Sequence, residues 1–107
     1  GIVSVFQTKP ASYNWQVSDF KIENPDNMVI YELLFRDFTQ TGSELATGTI
    51  KEATKHLDYI KNLGVNAIEL MPIQEFDGNN SWGYNPCYYF AMDKAYGTKE
   101  EYKQFID

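Results

Sequence analysis

Thr49-Ile50-Lys51-Glu52-Ala53-Thr54-Lys55-His56-Leu57-Asp58-Tyr59-Ile60-Lys61-Asn62-Leu63-Gly64-Val65-Asn66-Ala67-Ile68-Glu69-Leu70-Met71-Pro72 decides the fold, because a helix passes into a strand within it. Thr49 is a good N-cap and Glu52 follows three residues later, the spacing of a capping box. Ile50, Ala53, Leu57, Ile60 and Leu63 recur at helical spacing and form one apolar stripe. Lys61 falls in the last turn, where the helix dipole favours a cation, and Gly64 is the expected stop. Val65 to Met71 then reads as a strand closed by Pro72.

Upstream lies a second strand. Met28-Val29-Ile30-Tyr31-Glu32-Leu33-Leu34-Phe35 is nearly all apolar without strict alternation, which suits a strand buried on both faces. Arg36 to Gly48 turns polar and reads as a loop. Strand, capped helix and strand make a βαβ unit with parallel strands and a right-handed crossover. Downstream, a long loop from Ile73 to about Gly97 is rich in Asn, Gly and aromatics. Thr98 and Glu101 form another capping box, opening a helix over Lys99 to Asp107. The first 27 residues are mixed: Ile2 to Phe6 has strand character, and Pro10 and Pro25 break regular structure.

Composition bounds the function. The 107 residues allow one domain at most, and 16% aromatic with 22% charged residues is a globular balance. The net charge is −6 and Arg36 is the sole arginine, so no basic face for nucleic acid can be assembled. No apolar run approaches the roughly 18 residues that span a bilayer, so no membrane partner is expected. Cys87 is alone, which excludes an internal disulfide and paired-thiolate metal sites. The chain starts Gly1-Ile2-Val3 and stops at Asp107 within a helix, and both ends read as cut edges of something longer.

The densest chemical signal is in the loop after the second strand: Trp82-Gly83-Tyr84-Asn85-Pro86, then Tyr88-Tyr89-Phe90. In α/β folds sites sit at the carboxyl ends of strands, and a loop of about 20 residues exceeds what a bare connection needs. Aromatic faces stack on sugar C–H faces while amides and carboxylates bond hydroxyls. Trp82, Tyr84, Asn79, Asn80, Asn85 and Asp77 supply that mixture. The same aromatics could equally anchor an irregular loop, and both readings stay open here; Tyr88, Tyr89 and Phe90 read as packing. Glu32 and Glu69 lie within neighbouring strands and invite comparison with a glycosidase pair about 5–10 Å apart. Neither stands beyond its strand end, so a structural role is the better reading. Arg36-Asp37 reads as an ion pair between neighbours that holds a loop, and His56 as a surface histidine. Asp77-Gly78-Asn79-Asn80 lacks the spacing and terminal Glu of a calcium loop, so no metal site is assigned.

Val29 to Thr39, Gly64 to Ile73, and Ser81-Trp82-Gly83-Tyr84-Asn85-Pro86 with Tyr89-Phe90-Ala91 and Tyr96-Gly97-Thr98, in that order, resemble the α-amylase family of glycoside hydrolases (family 13). The resemblance covers about 28–107. It implies an α/β fold, the beginning of a (β/α)₈ barrel (first strand, first helix, second strand, start of the second helix), in a barrel of about 250 residues. Residues 1–27 would then be a linker or the end of an N-terminal β-sandwich module. The resemblance also implies that Tyr84 stacks on a glucose ring next to the cleaved bond, with Trp82 and Asn85 shaping the same subsite. The family's catalytic Asp, Glu and Asp come from later strands, so no catalytic residue carries over and this chain alone should be inactive. The implied partner is an α-glucan oligosaccharide or polysaccharide, cleaved with retention through a covalent intermediate. No cofactor is implied within these residues, while calcium in a longer parent is compatible with the family. The open sheet edges imply self-association of the isolated chain. The alternatives are a non-catalytic carbohydrate-binding or interaction module, which the loop aromatics would also suit, and a different barrel enzyme sharing only the βαβ scaffold. No targeting segment assigns a compartment, and analogy leans outside the cytoplasm.

Overall fold

The computed structural model describes residues 6–40 and 48–107. The expected strand at Ile2–Phe6 lies almost wholly outside them, as does the centre of the loop between Arg36 and Gly48.

Two strands form the expected parallel pair. β1 (Ile30–Leu33) lies beside β2 (Ala67–Leu70) with Ile30 opposite Ala67, Tyr31 opposite Ile68, Glu32 opposite Glu69 and Leu33 opposite Leu70. Alternation divides each strand between two faces. Tyr31, Leu33, Ile68 and Leu70 face the hydrophobic core, while Ile30, Glu32 and Glu69 are exposed on the other face. Asn66 locks the register at its lower end. Its Oδ1 accepts from the Val29 amide (2.7 Å) and its Nδ2 donates to the Asn27 carbonyl (3.0 Å).

β1 is shorter than its apolar run. Leu34 ends it, and α1 (Phe35–Phe38) begins with Asp37 and Phe38 amides donating to the Leu34 carbonyl at 3.1 and 3.0 Å. Phe35 is therefore a helical core residue, not a strand residue. It is 2% exposed and meets the rings of Tyr96, Tyr102 and Phe105 edge-on at 5.5–6.2 Å between centroids. The rest of the core comes from Leu33, Leu34, Ile50, Ala53, Ile60 and Phe76.

The long crossover helix is divided into α2 (Ile50–Thr54) and α3 (Leu57–Asn62). The Thr54 hydroxyl donates back to the Ile50 carbonyl at 2.7 Å, a bond that bends helices, and the His56 amide bonds Ala53 in a tightened turn at 2.9 Å. Only half of the capping box at Thr49 forms. Thr49 Oγ1 accepts from the Glu52 amide, but the Glu52 carboxylate turns away to Lys55 at 2.7 Å, and the Thr49 amide bonds Thr39 instead. Leu63, at the C-cap of α3, is exposed rather than part of the buried stripe. Gly64 ends α3 at φ +88°, as its position requires.

The stretch after β2 is not a bare loop. β3 (Gln74–Phe76) pairs antiparallel with β4 (Pro86–Met92), with irregular register on both sides of Glu75. Asp93 follows, its amide bonded to the Ile73 carbonyl at 2.8 Å, and α4 (Lys99–Ile106) completes the chain. Here both halves of the box form: Thr98 Oγ1 accepts from the Glu101 amide and the Glu101 carboxylate accepts from the Thr98 amide. α4 packs on α2, and the Ile50 amide reaches the Tyr96 carbonyl at 2.9 Å.

Residues 6–22 hold no helix or strand and are nearly all exposed, with one firm attachment. The Asp107 carboxylate accepts from the Gln16 and Val17 amides (2.9 and 3.0 Å) and from the Tyr13 hydroxyl (3.2 Å). Lys103 sits over the Tyr13 ring, 5.5 Å from its centroid.

Candidate functional site

The carboxyl end of β2 carries the aromatic segment on a turn with two supports. Gly83 is the first. It is buried at φ +89°, and a Cβ there would fall 2.6 Å from the Pro72 carbonyl oxygen, so only glycine fits against the chain leaving β2. Trp82 and Tyr84 flank it and are 63% and 67% exposed. A backbone pressed inward thus leaves two large rings in solvent.

Arg36 is the second support. Its Nε and Nη2 grip both Asp37 carboxylate oxygens at 2.7 and 3.1 Å, as expected for neighbours that form an ion pair. The same guanidinium extends farther. Nη1 donates to Asn80 Oδ1 and to the Ser81 carbonyl, both at 3.1 Å, across 44 and 45 residues of sequence. Ser81 passes the restraint on: its hydroxyl accepts from the Gly83 amide at 3.0 Å and donates to Asn85 Oδ1. The hydrogen bond from Arg36 holds the Asp37 carboxyl below its ordinary range, and the same contact raises Arg36, so both stay charged at neutral pH.

Asn85 is exposed beside Tyr84, so the three residues expected to meet sugar lie on one turn. Tyr88, Tyr89 and Phe90 do not pack as expected. They lie on β4 and are exposed, Phe90 fully, because no layer of the described chain covers that strand. Glu32 and Glu69 are register partners on the open face of the β1–β2 pair, away from the aromatic turn. His56 is exposed, with its ring edge-on to Phe38 at 5.8 Å.

Of the Asp77–Asn80 oxygens, Asn80 Oδ1 faces the Arg36 cation. Among the described residues no three His, Cys, Asp or Glu side chains are grouped to hold a metal, and no helix is long and apolar enough to cross a membrane.

A buried acid had no forewarning in the sequence. Asp93 is 1% exposed; Oδ1 accepts from the Ala95 amide at 2.8 Å, while Oδ2 and the hydroxyls of Tyr96 and Tyr102 have no partner in the structure. Burial raises the Asp93 carboxyl, and burial lifts Tyr96 to about 12. Beside it, burial would raise Glu75, but its bonds from Lys94 prevail and hold it low. This cluster follows directly on β4, with Asp93 tied to the chain leaving β2 through its amide bond to Ile73.

Comparison with known proteins gives the setting. The family model for the α-amylase catalytic domain matches residues 18–107. Malto-oligosyltrehalose trehalohydrolase of Arthrobacter ramosus is 36% identical over 98 residues, which are 92% of this chain and 16% of that protein. The 1,4-α-glucan branching enzyme of Rhodospirillum rubrum is 28% identical over 102 residues, 90% of this chain and 14% of that protein. Among solved structures, isomaltulose synthase from Protaminobacter rubrum superposes with a TM-score of 0.64 at 33% identity over 74% of this chain and 14% of that one. The chain thus spans about one sixth or less of the length of these relatives.

Proposed function

From the premise that this chain belongs to the α-amylase catalytic-domain family, we propose that it is the opening part of a (β/α)₈ barrel whose whole protein acts on α-1,4-linked glucans. In this reading 28–107 supply the first two strand-and-helix units, and 1–27 join them to a preceding module. The relatives named above act on glucans and related glucosides, which supports the substrate class. The reaction is retaining: a carboxylate nucleophile forms a glycosyl-enzyme ester, which water or a sugar hydroxyl then opens. The relatives include a hydrolase and a branching enzyme, so the proposal extends to the shared intermediate and not to its acceptor. The reacting carboxylates belong to later strands, and the 107 residues alone are inactive.

The observation that carries this reading is the exposed pair Trp82 and Tyr84 at the carboxyl end of β2, held by a backbone that admits only glycine between them. Flat rings with neighbouring amides suit a pyranose ring and its hydroxyls. Tyr84 forms the sugar platform; Trp82 and Asn85 form its sides.

The test is maltoheptaose binding by the full-length protein. Tyr84→Ala should raise Kd by about tenfold to a hundredfold, the loss of one stacked ring. An unchanged Kd would leave Tyr84 as a surface residue and remove the platform.

A further inference from the structure

We propose that Arg36 is a positioning residue for the aromatic turn: its guanidinium, fixed on the first helical turn after β1, sets the direction in which Trp82 and Tyr84 face the sugar. The proposal rests on the platform reading above and adds to it the part that orients the rings.

The argument starts from where Arg36 is anchored. It lies in α1 between Phe35, a core residue, and Asp37, whose amide closes the first turn on Leu34 at 3.1 Å. The base of the side chain is therefore tied to the core. The fork is oriented in turn by both Asp37 oxygens, which occupy Nε and Nη2. Nη1 reaches the other loop and meets two acceptors there, Asn80 Oδ1 and the Ser81 carbonyl. A planar guanidinium held on one edge presents its other edge in a fixed direction. Ser81 then bonds Gly83 and Asn85. The restraint passes from α1 through Ser81 to the backbone between the rings.

The energetic weight lies in order rather than in the ion pair. Asp37 is more than half exposed, so the pair itself contributes little to stability. An exposed turn of Asn, Ser and Gly has many conformations to lose on binding, and holding it beforehand lowers that loss. Lysine could keep the charge but not the fork: an ammonium cannot hold both Asp37 oxygens and two acceptors behind it.

The test is a double-mutant cycle in the full-length protein, read as maltoheptaose Kd, with melting temperature recorded in parallel. Arg36→Lys should raise Kd by about tenfold with little change in melting. In a Tyr84→Ala background the same change should have a much smaller effect on Kd, because the platform ring is gone and only Trp82 is left to orient. A role in stability alone would give equal ratios in both backgrounds, or a lowered melting temperature with wild-type Kd, and either would overturn the proposal. Where Tyr84→Ala weakens binding but Arg36→Lys does not, the clasp falls and the platform stands. Where Tyr84→Ala has no effect, both fall. Asn80→Ala cuts the same contact from the exposed side; it should weaken binding in the same direction, and a wild-type Kd for that variant also counts against the clasp.

Discussion

Gly83 lies so close to Pro72 that the carbonyl oxygen of Pro72 occupies the space where a side chain on Gly83 would begin. The two residues belong to different stages of the chain: one ends the departure from β2, the other sits within the turn that follows β3. Their contact sets the depth of the aromatic turn, and it fails with a single methyl group.

Gly83→Ala is expected to destabilise the protein by roughly 1–3 kcal/mol, since φ +89° disfavours any L side chain and the added carbon would sit 2.6 Å from a backbone oxygen. Thermal unfolding checks the loss of stability, and maltoheptaose titration checks a parallel loss of affinity. Wild-type values in both would show that the turn is free to shift outward.

Asp93 yields a pH prediction with a definite sign. Its folded pKa is raised, with burial the main cause, Glu75 adding to it and the Ala95 amide opposing it. A carboxyl of this kind contributes most below its ordinary value of 3.8, and the contribution is lost as pH rises through the folded value. Compared with Asp93→Asn, the natural protein should therefore lose stability as pH rises above 3.8. Urea midpoints of the two proteins across that range decide it; parallel curves would mean that Asp93 ionises as freely as a surface acid.

Asp107 gives the opposite sign. Amides of Val17 and Gln16 and the Tyr13 hydroxyl lower its pKa against a smaller opposing effect of burial. Its hold on residues 13–17 is present above the ordinary carboxylate range and is lost as pH falls through the lowered folded value. Hydrogen exchange at the Gln16 and Val17 amides should be slow near neutrality, and relative to neighbouring amides it should lose protection in strong acid. Asp107→Ala should remove that protection at every pH. Equal protection in the variant would mean that the segment is held elsewhere.

The isolated 107-residue chain is expected to self-associate and to release no reducing sugar from starch. Ile30 is exposed on the open face of the parallel pair, and Tyr89 and Phe90 stand out from β4. Apolar surface of this kind is covered in a complete barrel or by another copy. Light scattering that finds a monomer at all concentrations, or turnover by this chain, would refute the respective half of the expectation.

What the sequence could disclose follows the range of the forces involved. The parallel pair and α4 were legible because their signals are local: apolar runs, Gly64 as a stop, Thr98 with Glu101. The break in the crossover helix has no local sequence signal, because it turns on the Thr54 hydroxyl and β-branched residues occur in unbroken helices too. The β3–β4 hairpin was hidden by its irregular register and by a three-residue β3 without alternation. The aromatic run of β4 did carry a strand signal, which the surrounding Asn and Gly obscured. At the site, Trp82, Tyr84 and Asn85 could be singled out as candidates from residue type and family resemblance, and the structure brings them onto one turn. The reach of Arg36 to Asn80 could not, since nothing near Arg36 in sequence marks an acceptor 44 residues away.

The parallel register of β1 has a bearing on how this region is made. An antiparallel neighbour could arrive within a short turn, whereas the partner of Ile30 is Ala67, and the Val29 amide waits for Asn66, 37 positions later. While translation proceeds through the crossover, β1 emerges from the ribosome with an apolar sequence and no strand to receive it. Its pairing with β2 must wait for closure of that interval, and until then its apolar residues lack this partner.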